Sequence, residues 1–144
     1  MKTLINAWPF WAVLSAVFAA LTAVFAKVGV GSINSDMATF IRTLVILAVA
    51  GLILAVFREW QPVGSISGRT WMFLVLSGLA TGASWLCYFR ALKLGEAARV
   101  APVDKLSVVM VAVFSVLFLG ERLSLPNWLG VGLIATGAAL VAVR

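Results

Sequence analysis

The sequence has no histidine, one cysteine (Cys87), one tyrosine (Tyr88) and only five acidic residues among 144. Without histidine, the commonest metal ligand and the usual general base near neutral pH are missing. One cysteine allows neither an intramolecular disulfide nor a cysteine-rich metal cluster. The acidic residues stand apart in the sequence, and no serine has an evident base or metal to activate it. No metal, cofactor or catalytic residue is therefore expected, and the chain does not read as an enzyme. Charge of either sign is scarce, at 11% of residues, yet eleven Lys and Arg leave a net charge of +6 and a pI near 10.5. These cations are scattered between apolar runs instead of gathering on one face, which argues against nucleic acid as a partner.

What the chain has in abundance is apolar sequence: 63% of residues are hydrophobic and the mean hydropathy is +1.12. No soluble domain of this length hides so much apolar surface. Five runs, at about 8–26, 38–57, 71–92, 100–119 and 127–143, each have roughly the 20 residues a helix needs to cross a bilayer. The connections are short, so residues 1–144 read as a single all-α integral membrane domain with the lipid bilayer as its first partner. The first run follows Lys2 but is too long for the apolar segment of a secretory signal and lacks an Ala-x-Ala cleavage pattern, so it reads as a retained helix. Asn34, Ser35 and Asp36 offer N-caps to the second run, Gly95 a stop to the third, and Ser124 with Pro126 a start to the fifth.

Polar residues inside the runs are aligned. On the third, Ser77, Thr81, Ser84 and Tyr88 fall within about 60° of one another at 100° per residue. On the fourth, Asp104, Ser107 and Ser115 fall within about 80°, and on the first Ser15 and Thr22 are aligned as well. Hydroxyls on membrane helices often bond only to their own preceding turn or to a neighbouring helix. Three such stripes on three helices instead suggest a shared hydrated cavity that admits a small-molecule substrate. Gly78 and Gly82 form a G-x-x-x-G pair, and Gly130, Gly132 and Gly137 smooth the fifth run; both faces suit close helix packing, within the fold or between subunits.

Asp104 and Lys105 stand side by side near the mouth of the fourth run. A carboxylate so near hydrocarbon needs water or a partner, and Lys27, Arg42, Arg90 and Lys105 are the candidates on the same side of the membrane. Such a cluster would act as a gate at one end of the cavity, with Trp85 and Tyr88 one turn below to close it or stack on substrate. The alternative is that Asp104 caps the fourth helix near its N-terminus. With five spans, Lys2, Arg58, Arg69 and Arg122 fall on one side, and Lys27, Lys93, Arg99 and Arg144 on the other. This balance gives no preferred orientation; adding Arg42, Arg90 and Lys105 to the second side gives a weak one, with a cytoplasmic C-terminus.

Two segments carry a resemblance. "YFRALKLGEAARVAPVDKLSVV", beginning at Tyr88, and "LFLGERLSLPNWLGVGLIATGAALV", beginning at Leu117, resemble the EamA-like branch of the drug/metabolite transporter superfamily. The pattern rests on Tyr88 to Gly95, Pro102, Asp104, Lys105, Ser107, Gly120, Glu121 and Arg122, and the likeness extends over essentially the whole chain. Members usually carry ten helices as two inverted five-helix repeats and move small metabolites or drugs, often outward. The resemblance implies one such repeat, which rebuilds a transporter by pairing with an oppositely inserted second copy, as an antiparallel homodimer, or with an inverted paralogue in the inner membrane. Small four-helix members use a glutamate in the middle of the first helix for proton-coupled cation exchange, but "WPFWAVLSAVFAALTAVFA" has no acidic residue here. Neutral or zwitterionic metabolites therefore fit better than cationic drugs. Other readings are a non-transporting scaffold or regulatory subunit, and half of an obligate heterodimeric transporter.

Overall fold

A computed structural model describes residues 7–143. These residues form an all-helical fold with five segments long and apolar enough to cross a membrane. Helix α1 (Trp8–Gly29) carries one charge, Lys27, in its last turn, where a cation complements the helix dipole. Helix α2 (Ser35–Phe57) is capped by Asn34, whose side chain accepts the Asp36 N–H at 2.8 Å. It ends on Arg58, which adopts left-handed backbone (φ 56°) so that its N–H and that of Glu59 reach back to Ala55 and Leu54. A short 3₁₀ turn, Val63–Ser65, leads to α3 (Gly68–Leu94), whose start is capped by the Ser67 hydroxyl accepting from Thr70 N–H.

The fourth apolar run departs from the single helix expected of it. It divides into α4 (Ala97–Asp104) and α5 (Leu106–Phe118), with the break at Lys105, one turn after Pro102. Pro102 lies inside α4 and not in a first helical turn, so it removes one backbone donor from the ladder. Lys105 N–H is shared between the Ala101 and Pro102 carbonyls, and the next turn opens with a tight bond from Val108 N–H to Lys105 C=O. Gly120 (φ 69°) turns the chain out of α5, and α6 (Leu125–Ala142) begins with Pro126 in its first turn, as its sequence suggested.

The chain divides into two compact units, Phe25–Lys93 and the residues on either side of it. In the first, the end of α1, the start of α2 and the end of α3 meet around Val30 and Leu92, which have almost no exposed surface, with Ala26, Ala38 and Phe89 beside them. Away from this corner α2 and α3 expose Leu44, Leu47, Leu52, Phe73, Leu76 and Leu79, a surface suited to hydrocarbon. In the second unit α4 and α5 both pack on α6. There Ala138 and Ser115 are buried, and Arg99 donates to the Ala142 carbonyl at 2.9 Å, satisfying a helix end that has no further intrahelical donor.

Candidate functional site

The corner of the Phe25–Lys93 unit gathers most of that unit's charge at the ends of three helices. Lys27 donates to the Leu92 carbonyl at 2.6 Å, and Lys93 donates to the carbonyl of Ile33. Arg90 pairs with Asp36 at 3.4 Å, tying the end of α3 to the first turn of α2. Arg42, half-buried, stands with its guanidinium 4.3 Å from the centre of the Trp85 ring and 5.4 Å from that of Phe89. Beneath these charges Ser35 and Thr39 are buried, and the Thr39 hydroxyl donates to the Ser35 carbonyl at 3.0 Å. Three of the expected gate residues, Lys27, Arg42 and Arg90, thus share this corner. Asp36 is the carboxylate that this unit brings to it.

Asp104 lies in the other unit. Its carboxylate accepts from its neighbour Lys105 at 3.3 Å, and about a third of its side chain is exposed. It is the last residue of α4, and Lys105, which opens α5, makes no side-chain cap. Of its four candidate partners the structure thus selects the adjacent one. The signal for the Asp36–Arg90 pair was present in the sequence, because both residues stand near span ends on the same side of the membrane. Only the fold brings them together.

The hydroxyl stripes meet mixed surroundings. Thr81 donates to the Ser77 carbonyl at 2.9 Å and Ser115 to the Ala112 carbonyl at 3.2 Å, both within their own helices. This is the local bonding that lets a hydroxyl sit in an apolar helix. Ser77, Thr81 and Ser84 are nevertheless exposed along α3, as are Ser15 and Ser107 on their helices, whereas Thr22 is half-buried. Tyr88 is half-buried and sits edge-on to Phe89, and Trp85 stacks on Arg42.

The glycine faces stand open within each compact unit. A Cβ placed at Gly78, Gly82, Gly130, Gly132 or Gly137 meets nothing within 4 Å beyond its own helix. At the opposite end of α2 and α3 a cavity of about 790 Å³ is lined by Arg58, Glu59, Gln61, Trp60 and Trp71 among others, none of them a candidate cavity, gate or packing residue from the sequence. Among the described residues no cluster of His, Cys, Asp or Glu comes together that could hold a metal. Of the charges used to judge orientation, Lys2 and Arg144 lie outside the described residues.

Five segments long and apolar enough to cross a membrane define a multi-pass membrane protein. Residues 6–143 match the EamA-like transporter family, and the chain belongs to this family, within the drug/metabolite transporter superfamily. It is 72% identical over 138 residues to an uncharacterized transporter in the cobO 3′ region of Sinorhizobium sp., covering 96% of this chain and 98% of that one. It is 29% identical over 135 residues to the uncharacterized transporter YxxF of Bacillus subtilis, covering 93% of this chain but only 42% of the longer one. Over 85 residues it is 36% identical to the probable 4-amino-4-deoxy-L-arabinose-phosphoundecaprenol flippase subunit ArnE of Aeromonas hydrophila, covering 58% of this chain and 68% of that one. No solved structure matches it.

Proposed function

We propose that the chain is half of a secondary transporter that moves small metabolites or drug-like molecules across the inner membrane by alternating access. The whole is an antiparallel homodimer of two oppositely inserted copies. The observation that carries this reading is the odd number of spans together with the match to less than half of the Bacillus relative. An odd repeat used twice in tandem is inverted by necessity, whereas a separate five-span chain reaches the same arrangement only with a partner inserted the other way. The exposed hydroxyls of α3 support it, because Ser77, Thr81 and Ser84 would otherwise face lipid and are better placed against a hydrated cavity between copies. Gly78 and Gly82, about 110° around α3 from these hydroxyls, give the neighbouring face a surface on which a second helix can approach closely.

Cysteine crosslinking in native membranes tests the pairing. With Cys87 replaced by serine, Gly82→Cys near the middle of α3 is expected to crosslink to its copy. Ser67→Cys and Leu94→Cys, at the two ends, are expected not to, since antiparallel copies put equivalent ends on opposite faces of the membrane. Crosslinking at both ends would make the dimer parallel, and none at Gly82 would remove α3 from the interface. A second reading, half of a heteromeric transporter, is favoured by the Aeromonas relative, which is named a flippase subunit. In that case the inverted partner is a different chain.

A further inference from the structure

We propose that Arg42 is an anion-recognition residue, placed to receive a phosphate or carboxylate group on the N–H groups of its guanidinium beside the Trp85 ring. The proposal rests on the transport reading above and names a chemical class for what occupies the site. Arg42 stands seven residues beyond the start of α2, so about 10 Å along a spanning helix. A cation at such a depth is costly unless something meets its charge. The other cations of the corner are met by oxygen: Lys27 by the Leu92 carbonyl, Lys93 by the Ile33 carbonyl, and Arg90 by Asp36. Among the described residues Arg42 has no such hydrogen bond or ion pair. Its contacts include the rings of Trp85 and Phe89, and Tyr88 interacts electrostatically with it.

Contact with the rings engages the charge of the guanidinium, while its N–H groups form a fork that matches two oxygens of a carboxylate or phosphate. The carboxylate nearest in sequence on the same helix, Asp36, already faces Arg90. Lys27, Arg90 and Lys93 hold the helix ends of the same corner with Asp36 as its carboxylate, a net positive balance that favours an anion over a cation. The Trp85 ring lies 4.3 Å from the guanidinium carbon, and a lysine here would keep the charge but lose the planar fork.

The test uses the purified full chain in detergent and the arginine reagent phenylglyoxal, with modification of Arg42 followed by peptide mass spectrometry. Phenyl phosphate is expected to slow modification of Arg42 about tenfold, the effect of one charge-assisted hydrogen-bonded contact, and to leave Arg69 unaffected. Benzylamine is expected to protect neither. Protection by phenyl phosphate identifies a soluble anion. Protection by phosphatidylglycerol micelles alone identifies a lipid headgroup on the same fork. Protection by neither overturns the proposal, as does equal protection of Arg69, which would reflect the net positive charge of the chain. By calorimetry, phenyl phosphate should bind Arg42→Gln about tenfold more weakly and Arg42→Lys less so, with Arg69→Gln unchanged; unchanged affinity in folded Arg42→Gln also overturns it. Protection needs no flux. A protected Arg42 in a chain without transport would therefore sink the transport reading and leave the anion site, and flux of a neutral solute without protection would do the reverse.

Discussion

Asp36 and Asp104 both stand near the end of a spanning segment, and each meets a cation at nearly the same distance, 3.4 Å for Asp36 and 3.3 Å for Asp104. The partner of Asp36 is Arg90, 54 residues away on another helix; the partner of Asp104 is the next residue in the chain. Both pairs are partly exposed, so neither adds more than about 1 kcal/mol to stability. Their difference lies in what they connect. The first ties α2 to α3 above the best-buried residues of its unit, whereas the second persists in any conformation that keeps the local backbone, including an unfolded one. An acid and a base side by side in sequence draw the eye, but the pair between helices is the one that reports tertiary structure.

The largest way to break this comparison is to remove what lies beneath the Asp36–Arg90 pair. Leu92→Ala should destabilise the protein by about 2–5 kcal/mol, since Leu92 has no exposed surface, and thermal unfolding in detergent should show it. Leu106→Ala, beside the Asp104–Lys105 pair and only half-buried, should cost clearly less. A smaller effect of opposite sign is expected at the far end of α2. Arg58→Gly relieves a left-handed non-glycine residue and should raise stability by up to about 1 kcal/mol, provided the cap bonds from residues 58 and 59 survive.

Double-mutant cycles sharpen the contrast directly. Asp36→Asn with Arg90→Gln should give a coupling of about 0.5 kcal/mol that shrinks at high salt, and Asp104→Asn with Lys105→Gln a coupling near zero. In stability Asp104 is therefore the smallest effect of all, and any role it has must appear in flux. If it gates, Asp104→Glu retains more transport than Asp104→Asn at equal expression; equal activity in the two would remove it from the mechanism.

The five spans were legible because 17 to 22 apolar residues in a row leave few alternatives, and the cap residues Asn34 and Pro126 marked two of their starts closely. The break at Lys105 was not legible. The apolar run continues past it, and Pro102 is equally compatible with a first helical turn or with an interior position that ends a short helix. For the same reason α1 was drawn too short, since Lys27 reads as a loop residue until its Nζ is seen to reach the Leu92 carbonyl from inside the last turn. Side-of-membrane reasoning grouped Lys27, Arg42, Arg90 and Asp104, and the structure pairs Asp36 with Arg90 and Asp104 with Lys105. Periodicity orders residues around one helix, whereas the choice of partner depends on which helices touch, which only the packing around Val30, Phe89 and Leu92 decides.

The antiparallel assembly is tested most directly by the orientation of the chain in the membrane. Reporters active only in the cytoplasm or only in the periplasm, fused in turn after Arg144, would be compared at equal expression. The account predicts comparable signal from both, because Arg58, Arg69 and Arg122 on one side nearly balance Lys27, Lys93 and Arg99 on the other. Signal from one reporter alone would contradict it. Arg42, Arg90 and Lys105 would then be setting a single orientation, and the inverted half would have to come from another protein.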